Sequence, residues 1–178
     1  MYNAFNGEKR EILMRATDVN TFSQSRKDVR AEIIKDVENM YNLKPRFERF
    51  DDHYINEDPL AKIYGTVSVD LFHRFWTEYL HTRDTSTNIH SVIHYHSSIR
   101  LMMNNSAVTR LGKIDVNMTV WLELSSVGGS EKVVHLTEEW NDVPLIDGDN
   151  TLFPIGWTAE TFRRVFGQMV VQISSWTC

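Results

Sequence analysis

The sequence predicts an α+β domain, with helices segregated on one face of a curved antiparallel sheet. Two observations carry that prediction. Apolar residues recur at helical spacing in segments before about Thr87 and again near the C-terminus, and between them the period drops to two. The period-two segments are separated by short turn signals, Asn104-Asn105-Ser106 and Val127-Gly128-Gly129-Ser130, and strands joined so briefly run antiparallel.

Residues 1–24 show weak periodicity and are expected to form an arm ahead of a single domain over 25–178. The first helix is expected after Ser25 as N-cap, with Asp28 three residues on and an apolar stripe of Val29, Ile33, Val37, Met40 and Tyr41. Pro45 ends it. The stretch PRFERF reads as a short second helix with the proline in its first turn. An extended piece around His53 to Asn56 follows, then a turn at Asp58-Pro59 and a stop at Gly65. From Ser68 to Leu80 the chain reads as an aromatic helix whose rows, Leu71-Phe75-Tyr79 and Phe72-Trp76-Leu80, must be covered. Three strand-like segments rich in Val, Ile, Thr and aromatics come next. A final helix is expected over 158–176, with Phe162, Val165, Phe166, Met169, Val170, Ile173 and Trp176 on one stripe.

The 178 residues, 42% hydrophobic and 24% charged, suffice for one domain with a real core. A net charge of −5 argues against a nucleic-acid surface, which needs clustered Lys and Arg. Cys178 stands alone and can form neither an internal disulfide nor a cysteine metal site. No apolar run is long enough to span a bilayer, and the first residues lack the core and cleavage site of a signal peptide. The expected location is the cytoplasm.

Three stretches resemble the nuclear-transport-factor-2-like, or SnoaL-like, superfamily over roughly residues 25–146. They are the leading helix running into FERFDDHYINEDPLAKIYG, the helix SVDLFHRFWTEYL, and the closing strands with VHLTEEWN. The resemblance implies a cone-shaped α+β barrel around one deep pocket, with N-terminal helices covering it and the C-terminal helix as an addition. It also implies frequent homodimers. Members include cofactor-free isomerases, dehydratases and cyclases, alongside transport factors and accessory domains without catalysis, so fold alone does not choose among them.

In a strand, His135, Thr137 and Glu139 share one face and Leu136, Glu138 and Trp140 the other. If the first face lines a pocket, His135 and Glu139 are an acid–base pair; otherwise they form a solvated face or a cross-strand ion pair. His90 resembles in position a histidine that takes part in acid–base chemistry in scytalone dehydratases, and a small slip would transfer the likeness to His94. Those enzymes' second histidine has no counterpart in KIDVNMTVWLEL. His94 and His96 place two imidazoles on one side of a strand, but a metal needs a third ligand that the spacing does not supply.

Asp52 and Tyr54 are candidates for a base and a hydrogen-bond donor, whereas Asp51 and Asp58 read as turn residues. Phe72, Trp76, Trp121 and Trp140 are candidates to wall an apolar ligand, against the plainer reading of core aromatics. The expectation is a cofactor-free lyase, isomerase or cyclase, with no metal, acting on an apolar ring-containing small molecule such as a polyketide or terpenoid. A homodimer is expected, with no nucleic-acid or membrane partner. The competing expectation is a non-catalytic module that binds a small molecule or a protein.

Overall fold

The computed structural model describes residues 16–127, 130–141, 143, 145 and 155–175. Helices α1 (Gln24–Tyr41), α2 (Thr66–Arg74) and α3 (Ile155–Ser175) accompany six strands: β1 (Phe50–Glu57), β2 (Lys62–Tyr64), β3 (Arg83–His94), β4 (Ser98–Thr109), β5 (Gly112–Val127) and β6 (Ser130–Trp140). The strands form one open sheet in the order β2-β1-β6-β5-β4-β3. β3 to β6 make the expected antiparallel meander, but β1 lies parallel to β6, so the sheet is mixed. The class is α+β, with the helices laid against one mixed sheet whose edge strands are β2 and β3.

Several element boundaries differ from the sequence reading. Helix α1 starts one turn-fraction earlier, because the Ser23 hydroxyl, not Ser25, accepts from the Arg26 amide at 3.3 Å. PRFERF forms no helix; a turn bonds the Phe50 amide to the Phe47 carbonyl at 3.0 Å and delivers Phe50 directly into β1. The aromatic helix is α for nine residues and then widens into a π-turn over Phe75–Tyr79.

Asn104 to Ser106 is no turn but the middle of β4. The Asn104 amide reaches across the outer face to Asp115 (2.9 Å) and Asn117 (3.2 Å), which satisfies a polar pair within the ladder. The real turns fall at Tyr95–Ser97 and Arg110–Leu111. Val127 pairs with Ser130 as a closing hairpin requires, while Gly128 and Gly129 at its tip lie outside the described residues, as do residues 1–15 of the expected arm and Trp176.

The core sits between the inner sheet face and helices α1 and α2. Ile99, Leu101 and Met103 of β4 and Met118, Val120 and Leu122 of β5 alternate inward, joined by Val133 and Leu136 of β6, which share that face across a register shift at Val134. Phe50 and Tyr54 of β1 join them against Ile33, Val37 and Met40 of α1 and Val69 and Phe72 of α2. Each such side chain, removed from water, contributes about 1.5–3 kcal/mol.

A buried ion pair anchors α1. Arg30, 1% exposed, donates to both oxygens of Glu131 (2.7 and 2.9 Å) and to the Tyr95 and His96 carbonyls, both at 2.8 Å. Arg26 adds a second bond to Glu131, and the Phe22 ring lies 4.4 and 4.6 Å from the two guanidinium carbons.

Helix α3 is turned away from the orientation its apolar stripe implies. Its buried face is Arg163, Gly167, Val170 and Ser174, while Phe162, Val165 and Met169 are exposed. The close approach of α3 to β2 explains this, since a Cβ at Gly167 would sit 2.9 Å from the Lys62 carbonyl. Arg163, 3% exposed, bonds Glu57 at 3.0 Å, and Lys62 bonds the other Glu57 oxygen at 3.0 Å. Among the described residues no helix is long and apolar enough to cross a membrane.

Candidate functional site

Strand β6 decides which polar groups enter the interior. Its inner face carries Leu136, Glu138 and Trp140, and its outer face His135, Thr137 and Glu139. The pair singled out in the sequence is therefore on the outside. His135 lies 3.5 Å from the Glu57 carboxylate, and Glu139 accepts from the Trp121 indole at 3.4 Å. Neither faces Glu138.

Glu138 is 6% exposed and stands beside the fully buried Val120 of β5. On its other flank, β1 pairs Asn56 with Leu136 and Glu57 with Thr137. The next positions in that register are Asp58 and Glu138, near enough for the Asp58 charge to act on Glu138. Glu138 accepts a hydrogen bond from the Trp140 indole at 3.1 Å. Burial raises its pKa, the Asp58 charge raises it further, and the Trp140 bond with the nearby Tyr41 hydroxyl offsets this only in part, leaving it at about 8.

Asp58 is 5% exposed and uses one oxygen to cap the amides of Leu60 (2.6 Å) and Ala61 (2.7 Å). That is the turn role read from Asp-Pro. Burial raises it to about 6, against the lowering by those two amides and by Arg163. Burial and mutual repulsion thus raise both carboxyls, Glu138 the further of the two.

Two phenols complete the group. Tyr54 is fully buried, and its hydroxyl has only long contacts, 3.5 Å to the Asn56 side chain and 3.9 Å to the Met40 sulfur. Tyr41, at the end of α1, has a buried hydroxyl with no hydrogen-bond partner of good geometry, although Glu138 is near enough to act on it. Burial and then the Glu138 charge push both phenols well above their usual range. A buried hydroxyl without a well-directed partner costs about 1–3 kcal/mol.

The remaining sequence candidates disperse. His90 is exposed at the β3 bulge, and Asp52 is exposed on β1. His94 lies against Phe22 with ring centroids 6.3 Å apart; burial and then Arg30 lower its pKa. His90, His94, His135 and Glu139 therefore do not gather at one point. Phe72 is in the core and packs edge-on against Trp76 at 6.2 Å, whereas Trp121 is on the outer face, stacked on Tyr95 at 5.9 Å. Trp140 alone of the three strand and helix tryptophans contacts Glu138 through a hydrogen bond.

His94 and His96 find no third ligand, and among the described residues no three His, Cys, Asp or Glu side chains converge on one point. A surface cleft of about 580 Å³ lies among Thr77, His81, Thr82, Arg83, Thr109 and Arg110, and none of the candidates lines it. Its three hydroxyls already donate to backbone carbonyls.

The fold has counterparts among solved structures. An NTF2-like protein from Anabaena variabilis superposes with a TM-score of 0.56 at 9% identity, over 68% of this chain and 92% of that one. The chain has the NTF2-like fold. A cystatin-like-fold protein from Caulobacter vibrioides matches at 0.54 with 13% identity, covering 66% of this chain and 91% of that one. A ketosteroid isomerase-like protein from Erwinia carotovora atroseptica matches at 0.52 with 10% identity, over 68% and 99%. The sequence matches no protein-family model and no curated protein. At these identities the NTF2-like likeness establishes the fold and leaves the chemistry to the side chains.

Proposed function

We propose that the chain is a cofactor-independent isomerase, lyase or cyclase that moves a proton on an apolar, ring-containing small molecule. The observation that carries this is Glu138, a carboxyl buried on the inner face of the NTF2-like sheet with its pKa raised to about 8 by burial and by Asp58. A group whose proton affinity lies near the working pH can both give and take a proton, which is what general acid–base catalysis asks of it. The Asp58 charge helps to keep it raised. Tyr41 and Tyr54, unionised, are the donors for an oxygen that gains charge as the proton moves. The Trp140 indole holds one Glu138 oxygen in place.

In this reading the proton carrier is Glu138, with Tyr54 retained from the sequence candidates and Trp140 retained as a wall. The test is hydrogen–deuterium exchange at carbons next to the carbonyl of a panel of cyclic ketones, followed by NMR. Exchange is expected with the native chain and with His135→Ala, and its loss by at least tenfold with Glu138→Gln. Exchange that survives Glu138→Gln and disappears with His135→Ala overturns the assignment.

A further inference from the structure

The surface cleft of about 580 Å³ lies apart from Glu138 and is walled by Thr77, His81, Thr82, Arg83, Thr109 and Arg110. That volume is in the range that holds a small molecule. Backbone bonds fix its walls. The Arg110 amide bonds the Leu80 carbonyl at 2.8 Å, which ties the turn between β4 and β5 to the end of the aromatic helix. The Thr82 amide and hydroxyl both bond the Trp76 carbonyl, at 3.1 and 2.6 Å. Two features of this backbone are uncommon. The helix widens into its π-turn over Phe75–Tyr79, with the Leu80 amide reaching the Phe75 carbonyl at 3.2 Å, and Thr77 stands on that turn. His81 and Asp84 then hold left-handed φ values of 47° and 52°. π-turns and left-handed residues that carry side chains both cost energy, and both gather where a chain handles a ligand.

The side chains decide which ligand fits. Among the described residues Arg110 pairs with no carboxylate, and one of its nitrogens approaches the Tyr79 carbonyl at 3.5 Å. Arg83 meets Asp84 at 4.0 Å, with the two side chains 77% and 78% exposed, so water screens that contact. Neither Asp84 nor Glu78 of the π-turn lines the cleft. In a chain of net charge −5, two guanidiniums at one cleft without a close carboxylate offer their forks to a dianion. A phosphate monoester matches them in charge and in shape. The hydroxyls require a different partner. Thr77 donates to the His73 carbonyl at 3.1 Å, Thr82 to the Trp76 carbonyl, and Thr109 to the Gly112 carbonyl at 3.0 Å. Thr109 also accepts from the Leu111 amide at 3.1 Å. With their protons committed, the Thr77 and Thr82 oxygens can still accept, which suits an alcohol and is useless to an anion.

We propose that this cleft binds a phosphorylated polyol, with its phosphate held by Arg83 and Arg110 and its hydroxyls donating to Thr77 and Thr82. The site is a second one, independent of the chemistry assigned to Glu138. A bare anion satisfies the guanidiniums and leaves the two hydroxyl oxygens unused, whereas an uncharged sugar does the reverse. Only a molecule carrying both groups engages both walls at once.

The probes are ribose 5-phosphate, ribose and inorganic phosphate, each titrated at pH 7.5 into the full chain labelled with ¹⁵N and followed by amide NMR. Ribose 5-phosphate is expected to bind at least tenfold more tightly than either half alone, with shifts centred on Thr77 to Arg83 and Thr109 to Arg110. The double variant Arg83→Gln, Arg110→Gln is expected to weaken it at least tenfold while native-like circular dichroism is kept. Thr77→Val is expected to weaken ribose 5-phosphate several-fold and to leave inorganic phosphate unchanged. Equal binding of ribose 5-phosphate and inorganic phosphate overturns the polyol. Equal binding of ribose 5-phosphate and ribose overturns the role of the guanidiniums. If no probe moves those amides at up to ten-millimolar concentration, the site itself is overturned.

Discussion

Replacing Glu138 by Gln should stabilise the protein at neutral and alkaline pH and leave it nearly unchanged in acid. In the unfolded chain this carboxyl loses its proton near the ordinary 4.5, whereas in the fold it holds the proton to about 8. Below 4.5 both states are protonated and the group contributes nothing. Between the two values the folded state binds a proton that the unfolded state has lost, so stability falls by about 1.4 kcal/mol for each pH unit. At pH 7 that amounts to a penalty on the order of 3 kcal/mol, and it stops growing above pH 8. Glutamine keeps an oxygen for the Trp140 indole and has no proton to lose, so the penalty vanishes. The assay is urea unfolding at closely spaced pH values from 4 to 9, with tryptophan fluorescence as the signal. The native protein should lose stability across this range, and the variant's curve should be much flatter. Asp58, also raised, leaves a smaller slope at the acid end. Parallel curves for the two proteins would refute the reasoning, because Glu138 would then titrate alike in both states.

Three other outcomes follow from the packing. Arg30→Met strands the Glu131 carboxylate with Arg26 alone, and a loss of about 3–5 kcal/mol is expected in thermal or urea unfolding. Gly167→Ala forces α3 away from the Lys62 carbonyl, with an expected cost of about 1–3 kcal/mol by the same measurement. Glu57 has the opposite sign to Glu138. Burial alone would raise it, but bonds from His135 and Lys62 and the charges of Lys62 and Arg163 bring it down to about 2. Its contribution is complete above pH 4.5 and is lost as the pH falls through 2, so Glu57→Gln should flatten the acid limb of the stability profile.

Much of the architecture is legible in the sequence, because periodicity reports burial directly. The helical stripe of α1, the aromatic row of α2 and the alternation of β4 to β6 all come from residues that must leave water. What periodicity cannot report is pairing direction across long separations, so the parallel contact of β1 with β6 was not readable. Asn104 to Ser106 has the composition of a turn, but an outward-facing asparagine pair satisfies itself across a ladder equally well. The stripe on α3 is real, yet the small surface at Gly167 permits a closer approach than Phe162 or Met169 would allow.

The site turned on one bit of information, the parity of β6. Leu136, Glu138 and Trp140 were recognisable as one face, and an acid between two apolar residues on a strand is the pattern of an interior acid. His135 drew attention because imidazole is the commoner acid–base group, although its face alternates with three inward positions. Tyr41, read as part of a stripe, could not be distinguished from a core residue, since its role depends on where its hydroxyl ends relative to β6.

The central claim is that Glu138 is a proton carrier poised near neutral pH, and a direct measurement is its own titration. Side-chain carbonyl NMR of the chain labelled with ¹³C at glutamate, assigned by the loss of one signal in Glu138→Gln, follows that carboxyl from pH 3 to 10. The account predicts a midpoint near 8 for Glu138, far above the other glutamates. A midpoint close to 4.5 would contradict it.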